Sequence, residues 1–134
     1  MAVSVRTITQ EQIREDFLFH HRKMWNWIAD QTLKLKRKVT KEEYFEAMGI
    51  PKCDRPLNLC YCCDFVKVPS SYGGCEPMCQ LCPIDWMSND RIYMCEYRNL
   101  ARDYGLFTRW RLQYDSNYKE AARLARTIAN LPES

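Results

Sequence analysis

Histidine, glycine and long apolar runs are what this sequence has least of. Its 134 residues include two histidines and four glycines. Both histidines are adjacent, His20-His21, and Arg22 follows them. That arrangement supplies neither the HExxH helix of a zinc protease nor the H-x-E motif of a zinc deaminase. A treble-clef nuclease would need histidine within or after the cysteines, and none is there. The few glycines give no phosphate-cradling loop. No apolar run approaches the roughly 18–20 residues that span a bilayer, so no membrane partner is expected. The opening MAVSVRTITQEQ lacks a basic segment followed by an apolar one, so it does not read as a secretory signal. The expected location is the cytoplasm, where thiols stay reduced.

Charge of one sign is also scarce. The formal net charge is +3 and the isoelectric point is near 8.4, too mild to define a nucleic-acid binder. The excess is uneven: +4 over residues 1–39, −2 over 40–48, −1 over 49–95 and +2 over 96–134. Length and an apolar share of 46% fit one globular domain, 1–134. Its three zones are a helical part (1–49), a cysteine-rich part (50–95) and a second helical part (96–134). The middle zone contains five of the six prolines and the Gly73-Gly74 pair.

Cysteine is the residue in excess. All eight lie between Cys53 and Cys95. Cys60-Tyr-Cys-Cys63 and Cys79-Gln-Leu-Cys82 are two C-x2-C pairs with 15 residues between them, the spacing of a zinc site. Each pair sets two sulfurs on one tight turn, and two turns close a tetrahedron. A shell of four thiolates has no open position, so the expected cofactor is a structural zinc held by Cys60, Cys63, Cys79 and Cys82. Cys75, four residues before Cys79, and Cys95 are alternative ligands. Cys53 and Cys62 read as buried thiols. Buried reduced cysteines, disulfides or an Fe–S cluster are the competing readings of the set.

The flanking zones read as helices. One is expected from Gln10–Ile13 to about Lys38, with Phe17, Met24, Ile28 and Leu35 in one stripe, flanked by His21 and Trp25. His20 and His21 read as one surface and one partly buried residue. Thr40-Lys-Glu-Glu43 is a capping box opening a short helix with Tyr44, Phe45 and Met48 as its apolar residues, ended by Gly49. Val66–Val68 reads as a strand and 69–74 as the turn of a small hairpin. Residues 98–114 read as a helix despite Gly105. A last helix spans about 117–130, capped from Asp115-Ser-Asn117. Ala121, Ala125, Ile128 and Leu131 should face inward there, with Lys119, Arg123 and Arg126 opposite. The expected fold class is therefore mainly α with a small β hairpin. Its helices would pack around a four-cysteine loop region like a zinc ribbon or treble clef.

These features favour a non-enzymatic binding protein. No thioredoxin-like βαβ pattern surrounds Cys79 and Cys82. A Cys–His nucleophile pair depends on spatial adjacency, which a sequence does not show. The first reading is a protein-binding adaptor or inhibitor. Trp27 lies off the centre of the first helical stripe and Trp110 between Arg109 and Arg111, an aromatic–arginine composition suited to interface hot spots. The alternative is a regulatory nucleic-acid-binding zinc protein. Its phosphate contacts would come from Lys34, Lys36, Arg37 and Lys38 in the run 34–38, with Lys119, Arg123 and Arg126 on the last helix and Arg109 and Arg111.

At Cys60-Tyr-Cys-Cys63-Asp-Phe and Cys79-Gln-Leu-Cys82-Pro-Ile-Asp-Trp86 the chain resembles a group of small cysteine-rich proteins of bacterial and phage genomes. Met24-Trp-Asn-Trp-Ile-Ala29 and the ending Ala121–Pro132 are similar too, so the likeness covers roughly residues 22–132. Cys53, Cys62 and Cys75 fall outside the shared pattern. The resemblance implies zinc binding, an accessory role and no catalytic residue. For a phage-encoded chain it implies a factor acting on a host protein, such as a defence component, in the host cytoplasm.

Overall fold

Hydrophobic residues recur three and four positions apart from Leu18 to Ala29, and this periodicity builds the longest element. The computed structural model describes residues 10–52, 67–69, 75–77, 83–87 and 104–133. In it α1 spans Gln10–Leu35, α2 Lys41–Ala47, β1 Lys67–Pro69, β2 Cys75–Pro77, α3 Leu106–Arg111 and α4 Tyr118–Ala129. A single 3-10 turn, Asp115–Asn117, leads into α4. The protein is mainly α.

The inward face of α1 is Leu18, His21, Met24, Trp25, Ile28, Ala29 and Thr32, all buried. This stripe is rotated from the expected one. Phe17 is only partly buried and Leu35 is exposed, because α1 stops at Leu35 and Lys36 turns left-handed with φ of 55°. That residue ends the helix as a C-terminal cap does, without the glycine usually found there. The buried Thr32 hydroxyl then accepts from the Val39 N–H at 3.2 Å and holds the connection against the helix.

Helix α2 follows its local code. The Thr40 side chain accepts from the Glu43 N–H at 3.3 Å, and the Glu43 carboxylate accepts from the Thr40 N–H at 2.7 Å. At the other end Gly49 has φ of 65°, and the Gly49 and Ile50 N–H groups bond to Glu46 and Phe45 oxygens. This is a Schellman closure, in which the left-handed residue must forgo a Cβ clash. Tyr44 and Phe45 are buried while Met48 faces out.

Helix α4 presents Ala121, Ala122, Leu124, Ala125, Ile128 and Ala129 to the core. Its small residues let α1 approach closely, and α1 against α4 is the main helix pair. The expected inward set Ala121, Ala125, Ile128 and Leu131 is buried. The capping expectation differs: the Asn117 side chain makes no cap bond, and Asp115–Asn117 form the 3-10 turn instead.

The third helix is shorter than the 98–114 expectation. Gly105 is its N-cap in an extended conformation (φ −76°, ψ 175°), so the chain turns into the helix only at Leu106. Leu112 caps its end, and Tyr104 and Tyr114 are exposed. Residues 98–103 lie outside the described residues. Strands β1 and β2 pair antiparallel, with Lys67 opposite Pro77, Val68 opposite Glu76 and Pro69 opposite Cys75. Prolines sit at the ladder ends, where a missing N–H donor is tolerated.

One hydrophobic cluster joins α1, α2, α3 and α4 with Ile84 and Trp86. Trp25 and Trp110 stand edge-on within it, and Phe107 completes an aromatic wall.

Candidate functional site

Two regions hold the described parts of the sequence-derived candidates: the segment following the second cysteine pair, and the basic surface where α3 meets the α1–α2 connection. Of the expected metal ligands, Cys60, Cys63, Cys79 and Cys82 lie outside the described residues, as do Cys95, Cys53 and Cys62. Cys75 contributes its backbone to β2. Among the described residues no group of three His, Cys, Asp or Glu side chains is placed to hold a metal ion.

The chain directly after Cys82 is described, and it is anchored. Ile84 forms an isolated antiparallel bridge with Glu133, and the Asp85 N–H donates to the Pro132 carbonyl at 2.8 Å. Arg14 of α1 reaches the Pro83 carbonyl at 3.4 Å and ion-pairs with Glu133 at 3.3 Å. Pro83, Ile84 and Trp86 are buried. Met87 turns left-handed (φ 56°), steadied by the Asp85 carboxylate accepting its N–H at 2.9 Å. Such an Asx-type bond offsets part of the strain of a left-handed non-glycine residue.

His21 and Trp86 meet inside this anchor. Their ring centroids are 5.9 Å apart in an edge-on arrangement. His21 is fully buried, where the sequence suggested partial burial. Its Nε2 lies 3.2 Å from the Ile128 carbonyl oxygen, an acceptor, so Nε2 carries the proton and donates. Nδ1 is buried without a hydrogen-bond partner among the described residues. His20 is at the surface, 3.5 Å from Asp16. Nothing in the sequence marks the His21–Trp86 pair, since the two residues are far apart in the chain.

An open groove of about 310 Å³ runs along the outer face of α1 beside this anchor, with Leu18, Phe19, Arg22 and Glu133 in its wall. Arg22 donates across its end to the Leu131 carbonyl at 3.3 Å. Its mixed charges favour no ligand class.

The second region contains the residues of the expected aromatic–arginine cluster. Trp110 is only 5% exposed and belongs to the core, because α3 turns it onto Trp25 while Arg109 and Arg111 point away. Trp27 is half-buried, edge-on to Tyr44 at 5.5 Å. Lys34, Lys36, Arg37 and Arg111 are exposed and Arg109 is half-buried. Arg37 ion-pairs with Glu43 at 2.5 Å, which raises the Arg37 pKa and lowers the Glu43 pKa. Arg126, expected opposite the core with Lys119 and Arg123, instead crosses to α1. It donates to the Asn26 side-chain oxygen at 2.6 Å and pairs with Asp30.

Lys38 joins the two basic segments. Its Nζ donates to the Arg111 carbonyl at 2.6 Å and lies 4.6 Å from the centre of the Trp110 ring. Burial pushes the Lys38 pKa below the usual lysine value; Asp115 opposes this and Arg111 adds to it. Lys41 stands 4.4 Å over Phe107, and Arg111 covers the same ring at 5.9 Å. Cations over aromatic faces gain about 0.5–1 kcal/mol at exposed sites. Neither Lys38 nor Lys41 stands out in the sequence from the other lysines of its run.

No described helix is long and apolar enough to cross a membrane. No family model matches the chain, and no curated protein or solved structure shows significant similarity to it.

Proposed function

We propose that this chain is a non-catalytic binding protein, an adaptor or inhibitor of another protein, whose middle zone is stabilised by a structural zinc. In this reading it acts in the cytoplasm, and as an accessory factor in the host cytoplasm if a phage encodes it. The observation that carries the reading is the anchoring of Pro83–Trp86 on α1 and on the chain end at Pro132 and Glu133. The segment that follows the second cysteine pair in sequence is fastened to the helices, which supports a zinc-stabilised zone held against them.

The donor set fits zinc on chemical grounds. Cys60, Cys63, Cys79 and Cys82 offer four thiolates from two tight turns, with Cys75 or Cys95 as substitutes. Zinc would supply the fixed geometry that a zone poor in aliphatic residues does not supply by packing. The β1–β2 ladder falls between the two cysteine pairs in sequence, where a zinc ribbon carries its hairpin.

Native mass spectrometry with elemental analysis tests this reading. The expected result is a zinc-loaded chain that loses its metal in Cys60→Ser and Cys82→Ser, with a lower melting temperature, while Cys53→Ser changes less. A compact, metal-free wild-type chain would overturn the zinc scaffold. A coloured protein containing iron would replace it with a cluster.

A further inference from the structure

We infer that the face where the α1–α2 connection meets the end of α3 docks an acidic amphipathic segment of the partner protein. This deepens the protein-binding reading above and rests on it. The face exists only in the folded chain. The Lys38–Arg111 bond joins residues 73 positions apart and brings the basic run 36–38 against the end of α3. Lys36 is two residues from Lys38, so its Cα lies within about 7 Å of it along the chain. Lys36 and Arg111 make no ion pair among the described residues. Glu43 already serves Arg37, and Asp115 is the acidic group that acts on both Arg37 and Lys38. The balance of this face is positive, which selects a carboxylate-rich or phosphate-rich partner.

The apolar part of the face separates those two. Leu35 and Leu112, 48% and 49% exposed, adjoin Lys36 and Arg111 in the chain. Aliphatic side chains give bases nothing to stack on, whereas single-stranded nucleic acid is held by exposed aromatic faces. The aromatic rings under the cations, Phe107 and Trp110, are buried and already covered by Lys38, Lys41 and Arg111. Among the described residues the exposed rings next to α3 in sequence are Tyr104 before it and Tyr114 after it, which do not form a continuous stacking track. Leucines beside cations match the leucines and carboxylates of an acidic amphipathic helix.

The test uses the full chain and a dye-labelled synthetic helix of Glu and Leu with leucines at three- and four-residue spacing. Fluorescence anisotropy is read against unlabelled polyglutamate and oligo-dT as competitors. The expected result is salt-sensitive binding that weakens about tenfold, or about 1.4 kcal/mol, in Lys36→Glu/Arg111→Glu and in Leu35→Ser/Leu112→Ser. Circular dichroism establishes that the variants remain folded. Absent binding, unchanged affinity in both folded variants, or equal competition by polyglutamate overturns the proposal. Stronger competition by oligo-dT overturns it in favour of nucleic acid. Zinc is measured on the same samples. A zinc-loaded chain that ignores the peptide defeats this surface and leaves the scaffold standing. A zinc-free chain that binds it defeats the scaffold alone.

Discussion

The Trp25 and Trp110 rings stand edge-on, with centroids 4.7 Å apart and planes at 89°. This contact fastens α3 to α1, and both indole N–H groups are buried without a hydrogen-bond acceptor among the described residues. The pair thus gains ring–ring attraction and loses the hydration of two donors. Trp110→Ala is expected to cost about 3–5 kcal/mol in chemical denaturation. Trp110→Phe should cost less than half of that, because both variants remove the unsatisfied donor but only Phe keeps a ring against Trp25. Equal losses for the two variants would show that the ring contact does not set the cost.

His21 joins α1 to α4 through its bond to the Ile128 carbonyl and to Trp86 through ring contact. His21→Ala leaves a cavity and removes one of the donors to the Ile128 carbonyl, which keeps its backbone N–H partners, for an expected loss of about 2–4 kcal/mol. His20→Ala, at the neighbouring surface position, should change stability by less than about 0.5 kcal/mol. Thermal melts of the two variants make the comparison.

The Glu43 carboxylate accepts from Arg37 and from the Thr40 N–H, and these contacts hold its pKa below the usual carboxylate value. A depressed carboxylate stabilises the fold above its unfolded value, and the contribution disappears as pH falls through the folded one. Wild type should therefore lose this increment below about pH 4.5. Glu43→Gln should be less stable at neutral pH by roughly 0.5–1 kcal/mol. The two stability curves should converge in acid, and parallel curves down to pH 3 would remove Glu43 from the acid response.

Arg126 links α4 to α1 through Asn26 and Asp30. Both partners of the ion pair are substantially exposed, so solvent screens it. A double-mutant cycle on Asp30→Ala and Arg126→Ala should return a coupling of about 0.2–1 kcal/mol, falling with salt. A salt-independent coupling would place the pair in a drier setting than its exposure indicates.

Local signals were legible in the sequence. The Thr40–Glu43 box and the Gly49 stop define α2, because caps act within one turn of backbone. The apolar faces of α1 and α4 were visible as periodicity, although α1 ends earlier and its stripe is rotated. Gly105 misled: inside a 98–114 helical pattern it read as a weak helical residue, yet it begins the helix. A glycine occupies either place, and only the neighbouring backbone decides between them.

By itself the sequence determined a mainly helical chain, the bounds of α2 and α4 to within a residue or two, and the confinement of every cysteine to the middle zone. Those properties are encoded in composition and in spacings shorter than a few turns. Only the tertiary structure decided that Trp110 is core, that Arg126 reaches α1, that Trp86 docks on His21 and that Lys38 meets Arg111. Each of these joins residues many positions apart, and no local pattern records such a pairing. It arises when apolar faces find one another and carry their charged neighbours into contact.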